Sequence, residues 1–270
     1  MSRTTRRDVY RHLGDYYTDP RCWLALLSAL ATELGGVIPE QFSLMEPHLG
    51  GGGAMDALED MGGRPGELLW PLEVMDLDPL APGLARAAQL GATVTPVEPS
   101  RSLVEAGFLI TEPATRPDLV ILNSPYSIRP PPVTCPRCEG GGEIPPHPPH
   151  GPDWIECPRC KGKETIRPAA IPVAQRHIER AVDVSGRHVL ALLDTGFLGS
   201  MGRLEMFRRL PLRAVWWLVP RPKFQLKGSG DQAEYAGFWF DKEHVGKWAG
   251  DHVQWREPGS TAYELPRSMR

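Results

Sequence analysis

Residues 118–126 read D-L-V-I-L-N-S-P-Y, an acid, four apolar residues and then a polar, proline and aromatic tip. A short apolar run closed by a proline turn has the form of a buried parallel strand. In an open α/β sheet, ligands bind at the carboxyl end of such strands. Asn123 and Tyr126 are therefore expected at the mouth of a site rather than in the core. The Asn123 side-chain carbonyl can accept a hydrogen bond from an amino group. Ser124 precedes Pro125, which biases it to extended backbone and can aim its carbonyl outward. Tyr126 offers a ring face to a flat substrate. Two acceptors and a stacking ring suit an exocyclic amine on a planar base, although an ordinary strand end before a proline turn would carry the same residues.

Upstream, residues 42–46 form a short strand that runs into E-P-H-L-G-G-G-G, and residues 54–61 then follow as a helix. Glycines there permit positive φ and close approach of backbone to a ligand. Strand, glycine turn and helix form the arrangement that cradles nucleotide-like ligands, but many surface loops share it. Residues 72–77 form a second strand with Asp76 near its tip, about thirty residues after Glu46. An acid at that place can accept hydrogen bonds from both ribose hydroxyls. Residues 79–90 read as a helix and 92–97 as a third strand, with Glu98 just past its end.

Ahead of these elements stands D-Y-Y-T-D-P at 15–20, where Asp19 and Pro20 have the form of an N-cap and a first helical residue. The helix presents Trp23, Leu24, Leu27, Leu30, Ala31 and Leu34 at helical spacing and ends at Gly35-Gly36. Cys22 belongs to its packing face. Residues 1–14 are an arginine-rich arm without periodicity.

Downstream, the pattern expects a helix over 172–182, a strand over 188–193, a basic helix over 198–210, and strands over 213–219 and 235–241. A glycine-rich loop carrying Phe224 joins the last two strands, and the tail from 243 onward has no pattern. The order gives an α/β fold, divided as arm 1–14, core 15–126, insertion 127–168, core 169–242 and tail 243–270.

The insertion is rich in proline, glycine and cysteine. C-P-R-C-E-G-G-G at 135–142 is nearly repeated by C-P-R-C-K-G-K at 157–163. Two such knuckles place Cys135, Cys138, Cys157 and Cys160 as a four-thiolate zinc site, which closes a tetrahedron and leaves His147 and His150 as linker residues. The pair resembles one zinc unit of the cysteine-rich region of J-domain chaperones, with Lys163 where the first knuckle has a glycine. Zinc explains how a segment with so little apolar content folds. The insertion leaves the chain directly after N-S-P-Y. Its Arg137, Arg159, Lys161 and Lys163 are suited to phosphate or base edges, so a DNA-recognition module is expected, with a structural clip as the plainer reading.

Bulk properties narrow the classes. The 270 residues carry 33 acids against 30 Lys and Arg, a net charge of −3, so this is no generally basic nucleic-acid binder. A local basic stretch, Arg203, Arg208, Arg209, Arg213, Arg221, Lys223 and Lys227, faces only Glu205 in sequence and could track phosphates. No apolar run is long enough for a bilayer. No apolar signal core follows the basic start, so a cytoplasmic protein is expected, and its cysteines are not expected to form disulfides.

Taken in order, Y-T-D-P, E-P-x-x-G-x-G, an Asp at the second strand and N-S-P-Y resemble the S-adenosylmethionine-dependent amino-methyltransferases, most of all the DNA adenine-N6 methyltransferases, including phage-type ones. The resemblance covers about residues 15–241 and excludes the cysteine region. It implies a Rossmann-like seven-stranded methyltransferase sheet whose final strand is antiparallel. It further implies that Tyr17 and Thr18 hold the methionine end of the cofactor, that Glu46, Pro47, Gly50 and Gly52 form the cofactor turn, that Asp76 binds the ribose, and that Glu98 meets the adenine amino group where the family often has Asp. Asn123, the Ser124 carbonyl, Pro125 and Tyr126 would grip the target amine, with Phe224 as a second aromatic wall; Arg137 and Arg159, in the insertion that the resemblance does not cover, are the DNA contacts expected from their charge and place. The implied partner is double-stranded DNA with a flipped adenine, and the implied assembly a monomer or weak dimer. The same tip can bind an RNA amine or a protein glutamine, and a non-catalytic zinc-containing nucleic-acid binder on this scaffold is the reading from another class. Two positions depart from the family pattern, Ser124 where N-P-P-Y has proline and Asp19 where T-P-P has proline; both give up rigidity.

Overall fold

A computed structural model describes residues 18–64, 66–76, 80–97, 107–124, 127–128, 133–144, 155–166, 171–222, 233–254 and 267. The chain divides into two compact units, a larger one drawn from Gly14–Tyr126 and Val173–Arg270 and a smaller one that includes Ser127–Pro172.

The larger unit opens with helix α1 (Pro20–Glu33). Asp19 is its N-cap, accepting from the Arg21 N–H at 3.0 Å, and Pro20 supplies the first-turn residue that needs no N–H. There follow β1 (Leu44–Glu46), α2 (Gly53–Gly62), β2 (Leu72–Val74), α3 (Pro82–Gln89), β3 (Thr93–Val94) and β4 (Leu119–Leu122). Beyond the insertion come α4 (Ala174–Val184), β11 (His188–Asp194), α5 (Leu204–Arg209), β12 (Leu212–Val219), β13 (Tyr235–Asp241) and β14 (Ala249–Gln254).

These strands form one sheet in the order β14-β12-β13-β11-β4-β1-β2-β3. Every pairing is parallel except the two made by β13. The expected mixed α/β sheet with one antiparallel strand is therefore present, and it carries an eighth strand. That strand, β14, arises from a tail without apolar pattern. It lies parallel to β12 at the edge, where an added Cβ on Gly250 would stand 2.6 Å from the Trp217 ring. Backbone pairing and the space left by that glycine hold it, which an apolar period does not report.

Side chains alternate across the sheet. Leu44, Leu72, Leu119, Ile121, Leu190 and Trp239 face a core shared with α1 and α2, while Met45, Val120, Leu122, Val189, Phe238 and Phe240 face one shared with α4. The strand read first is thus buried on both faces, as a central parallel strand must be. Its leading acid locks the register: the Asp118 carboxylate accepts from the Ser43 N–H at 2.9 Å and the Ser43 hydroxyl at 3.0 Å.

One expected element is shorter. Residues 198–210 do not form a single helix; a 3-10 turn at Met201–Arg203 precedes α5, and Gly199 and Gly202 interrupt the helical run. The described arginines of the basic stretch are also already engaged: Arg208 with Glu205, Arg209 with Glu179, Arg213 with Asp241 and Glu33, Arg221 with Glu234, and Arg203 with the Phe197 carbonyl. Most of these partners lie far away in sequence, so the stretch only looks unbalanced when read linearly. Lys223 and Lys227 lie outside the described residues. No helix among the described residues is long and apolar enough to cross a membrane.

The smaller unit is built from two-residue ladders: β5 (Ser127–Ile128) with β10 (Ile171–Pro172), β6 (Val133–Thr134) with β9 (Thr165–Ile166), and β7 (Glu143–Ile144) with β8 (Ile155–Glu156), all antiparallel. With so little regular structure, its core is the four cysteines with Ile144 and Ile166.

Candidate active site and cysteine centre

The first site grows from the carboxyl ends of β1, β2 and β4. After β1 the chain turns through Gly50 (φ 51°) and Gly52 (φ 78°), left-handed conformations that favour glycine. The Gly50 N–H donates to the Asp76 carboxylate at 2.7 Å, so the acid beyond β2 is tied to the turn after β1. Gly52 caps α2 without a side chain of its own. Glu46 lies near that end of the helix, where the Met55 N–H favours its ionised form.

Glu46 is only 2% exposed. Burial, then the Asp76 and Asp56 charges, hold its carboxyl well above the usual range. Its Oε2 is buried and has no partner among the described residues. An orphaned acceptor of this kind costs free energy until a donor arrives. Gly53, the last glycine of the motif, and Gly83, which sequence reading passed over, complete the turn. A Cβ on Gly53 would come within 2.5 Å of the Thr18 carbonyl, and one on Gly83 in α3 within 3.0 Å of the Gly50 carbonyl. Glycine there lets backbones from three segments close over the turn.

At the end of β4, the Asn123 Nδ2 donates to the Thr18 hydroxyl at 2.8 Å. Thr18 and Ser124 are both buried, while Asn123 is half-buried. The structure thus brings together Thr18, Glu46, Gly50, Gly52 and Asp76 of the expected cofactor set with Asn123 and Ser124 of the expected grip. Pro47 is buried. Tyr17, Glu98, Pro125, Tyr126 and Phe224 lie outside the described residues.

Two histidines join the site that the sequence did not mark. Ser124 Oγ and His177 Nδ1 share a hydrogen bond, and the His48 and His177 rings lie 4.5 Å apart between centroids. Burial, followed by the Arg176 charge, holds His177 down at about 4, and burial with the His177 charge holds His48 well below the usual histidine range. Both are neutral imidazoles at pH 7. His48 lies inside the glycine-turn motif, and His177 is on the apolar face of α4; only the fold brings them together.

The residues fit S-adenosylmethionine on these observations: an orphaned buried carboxylate oxygen for a cationic group, a backbone turn kept open by glycines, and a second acid at the neighbouring strand end.

The second site is the cysteine centre. The Sγ atoms of Cys135, Cys138, Cys157 and Cys160 all lie within 4.8 Å of one another. Cys135 and Cys157 are 3.8 Å apart and Cys138 and Cys160 3.6 Å, too far for disulfides. Tetrahedral thiolates around zinc at about 2.3 Å would stand about 3.8 Å apart, so the spacing is compatible with that metal. Burial raises the Cys135 thiol, but the N–H groups of Arg137 and Cys138 outweigh it and hold it at about 7; burial pushes Cys160 up to about 12. The two knuckles match in backbone conformation. Glu139 and Lys161 have φ of 48° and 52°, Gly140 and Gly162 follow at 87° and 69°, and Gly142 and Glu164 at 75° and 62°. The residue standing where the first knuckle needs a left-handed glycine is therefore Glu164, not Lys163. Cys135 N–H donates to the Glu164 carbonyl at 2.9 Å and Cys157 N–H to that of Gly142 at 2.8 Å, a reciprocal pair. Arg137 and Arg159 hold equivalent exposed positions, one on each knuckle.

No protein-family model matches the sequence, and no curated protein is similar to it. Solved structures are similar in fold. A candidate class I S-adenosylmethionine-dependent methyltransferase from Listeria monocytogenes aligns over 90% of this chain and 68% of its own, at 12% identity and a TM-score of 0.54. A type I restriction-modification system methyltransferase subunit from Streptococcus thermophilus aligns over 88% of this chain and 47% of its own, at 16% identity and 0.53. A modification subunit of a candidate type I restriction enzyme from Vibrio vulnificus YJ016 aligns over 95% and 50%, at 13% identity and 0.50. The chain spans about half the length of these last two proteins. By its strand order and these likenesses, the larger unit has the Rossmann-like methyltransferase fold.

Proposed function

We propose that this chain transfers a methyl group from S-adenosylmethionine to the N6 amine of adenine in double-stranded DNA. The observation that carries the reading is the Asn123–Thr18 hydrogen bond, which joins the N-S-P-Y tip to the Y-T-D-P segment beside the glycine turn. Grip and cofactor residues would then stand side by side, as direct transfer requires. The presence of a methyltransferase subunit and a modification subunit of restriction systems among the fold neighbours favours DNA over an RNA amine or a protein glutamine.

The cofactor supplies an electrophilic sulfonium methyl when bound. Glu46 takes its cationic end, Asp76 its ribose, and the glycine turn gives it backbone contact, with Tyr17, Pro47 and Glu98 completing the set. Asn123 Nδ2 is committed to Thr18, which leaves Oδ1 to accept one N6–H; the Ser124 carbonyl accepts the other. These bonds draw the amine out of conjugation with the ring and aim its lone pair, so positioning and electrostatics carry the rate and no strong base is needed. Adenine must leave the duplex stack to reach them, resting on Tyr126 with Phe224 as a second wall. Zinc closes the four-cysteine centre, and the insertion reads DNA through Arg137 and Arg159.

The test is incubation with labelled S-adenosylmethionine and, separately, DNA, RNA and protein, followed by nucleoside analysis. N6-methyladenine in DNA is expected; label only in RNA or protein overturns the substrate, and no cofactor binding at all overturns the reading.

A further inference from the structure

We propose that His177 is a positioning residue for the amine grip: by its hydrogen bond to the Ser124 hydroxyl it fixes the backbone of the N-S-P-Y tip, as a proline ring would at that place. The inference rests on the methyl-transfer reading above and adds a residue that the sequence motif does not contain.

Pro125 already confines Ser124 to extended backbone, but within that region φ is free to vary by tens of degrees. A proline at 124 would fix φ near −65°. Serine lacks the ring and offers a hydroxyl instead. That hydroxyl is on a residue 2% exposed, where a polar group needs a partner, and among the described residues His177 Nδ1 is one. Anchoring Oγ selects one side-chain rotamer and narrows the backbone freedom coupled to it. The anchor is itself rigid. On α4, Ile178, Ala181 and Val182 share a core with Val120 and Leu122 of β4, so the helix bearing the histidine and the strand bearing the serine are packed together. His48, in the turn after β1, lies 4.5 Å from the ring between centroids, and Phe108 6.4 Å from it. The ring therefore has little freedom to turn away, and the Ser124 carbonyl is held in one direction. A neutral ring keeps Nδ1 able to make this bond throughout the neutral pH range.

Five proteins decide it: wild type, His177→Phe, His177→Asn, Ser124→Ala and the double variant of His177→Phe with Ser124→Ala, measured by single-turnover methylation of adenine-containing DNA and by calorimetric cofactor binding. His177→Phe keeps the ring volume and loses Nδ1; about a ten- to hundredfold slower transfer is expected, with cofactor affinity within about twofold of wild type. Ser124→Ala breaks the same bond from the other side, and the double variant should lose no more than the worse single variant. His177→Asn, which returns a polar atom near the Nδ1 position, should recover most of the rate. Without cofactor or DNA, the imidazole 15N shift of His177 should move in Ser124→Ala. Losses that multiply in the double variant, or an unshifted His177 signal, overturn the proposal. If His177→Phe fails to fold, Ser124→Ala and the 15N shift still decide it. A wild-type protein that binds cofactor yet methylates no DNA overturns the functional reading and this inference with it, an outcome distinct from an active enzyme whose losses multiply.

Discussion

Asn123 and Thr18, 105 residues apart in sequence, are joined by a hydrogen bond of 2.8 Å that commits the Asn123 amide nitrogen and leaves its oxygen to a ligand. A planar amide has two ends, and only one orientation presents an acceptor to an amine. In the structure it is the nitrogen that faces Thr18, and the oxygen is the end left over. Asn123→Ala should abolish methyl transfer while cofactor affinity stays within about twofold of wild type. Thr18→Val keeps the shape and removes the hydroxyl, so a partial loss of about ten- to hundredfold in the transfer step is expected. Full activity in Asn123→Ala, read by single-turnover methylation, would show that the tip is not the amine grip.

This relationship marks what the sequence discloses and what it does not. Strand β4 could be read because a buried parallel strand is continuously apolar. The glycine turn after β1 was legible because its motif is local in sequence. The Ser124–His177 pair was not, since the residues stand 53 apart with the insertion between them. Gly53 and Gly83 matter through backbones that approach them from elsewhere, which a turn motif does not record. Strand β14 is exposed along nearly its whole length, so no buried face writes a period into it.

Gly237 on β13 makes room for α1: an added Cβ would stand 2.5 Å from the Leu26 Cδ2 and 3.1 Å from its Cδ1. Leu26 is fully buried and has nowhere to retreat. Gly237→Ala should therefore destabilise the protein by about 1–3 kcal/mol, the usual cost of overpacking. Denaturant unfolding measures it. Gly237→Ala paired with Leu26→Ala should recover part of the loss, because each change relieves the other.

The cysteine centre should hold about one zinc per chain, and Cys157→Ser should abolish that content in a metal assay. The two knuckles then make opposite predictions at matching positions. Gly142 has φ of 75° and a Cβ there would stand 3.0 Å from the Gly162 carbonyl, so Gly142→Ala should weaken the site. Glu164 occupies the matching left-handed conformation with a side chain, so Glu164→Gly should relieve strain and strengthen it by about 1 kcal/mol or less, after the flexibility cost of glycine. Because metal binding and folding of such a unit are one equilibrium, chelator competition reads both effects as shifts in zinc affinity.

Glu46 gives cofactor binding a pH dependence of defined sign. Burial and the neighbouring Asp76 and Asp56 charges raise its carboxyl well above the ordinary range, so below that raised value the free protein carries it protonated. A cationic ligand group against Oε2 favours the ionised form and lowers the pKa in the complex. Binding should then release a proton, and affinity should rise with pH through the interval between the bound and free values and level off above the free one. Calorimetry in buffers of different ionisation enthalpy measures the proton released. Glu46→Gln removes the titrating group, so its affinity should be lower and should lose this rise, while the cofactor's own titration remains in both proteins and cancels in the comparison. An identical pH profile in wild type and Glu46→Gln would show that the cationic end of the cofactor does not lie against Glu46.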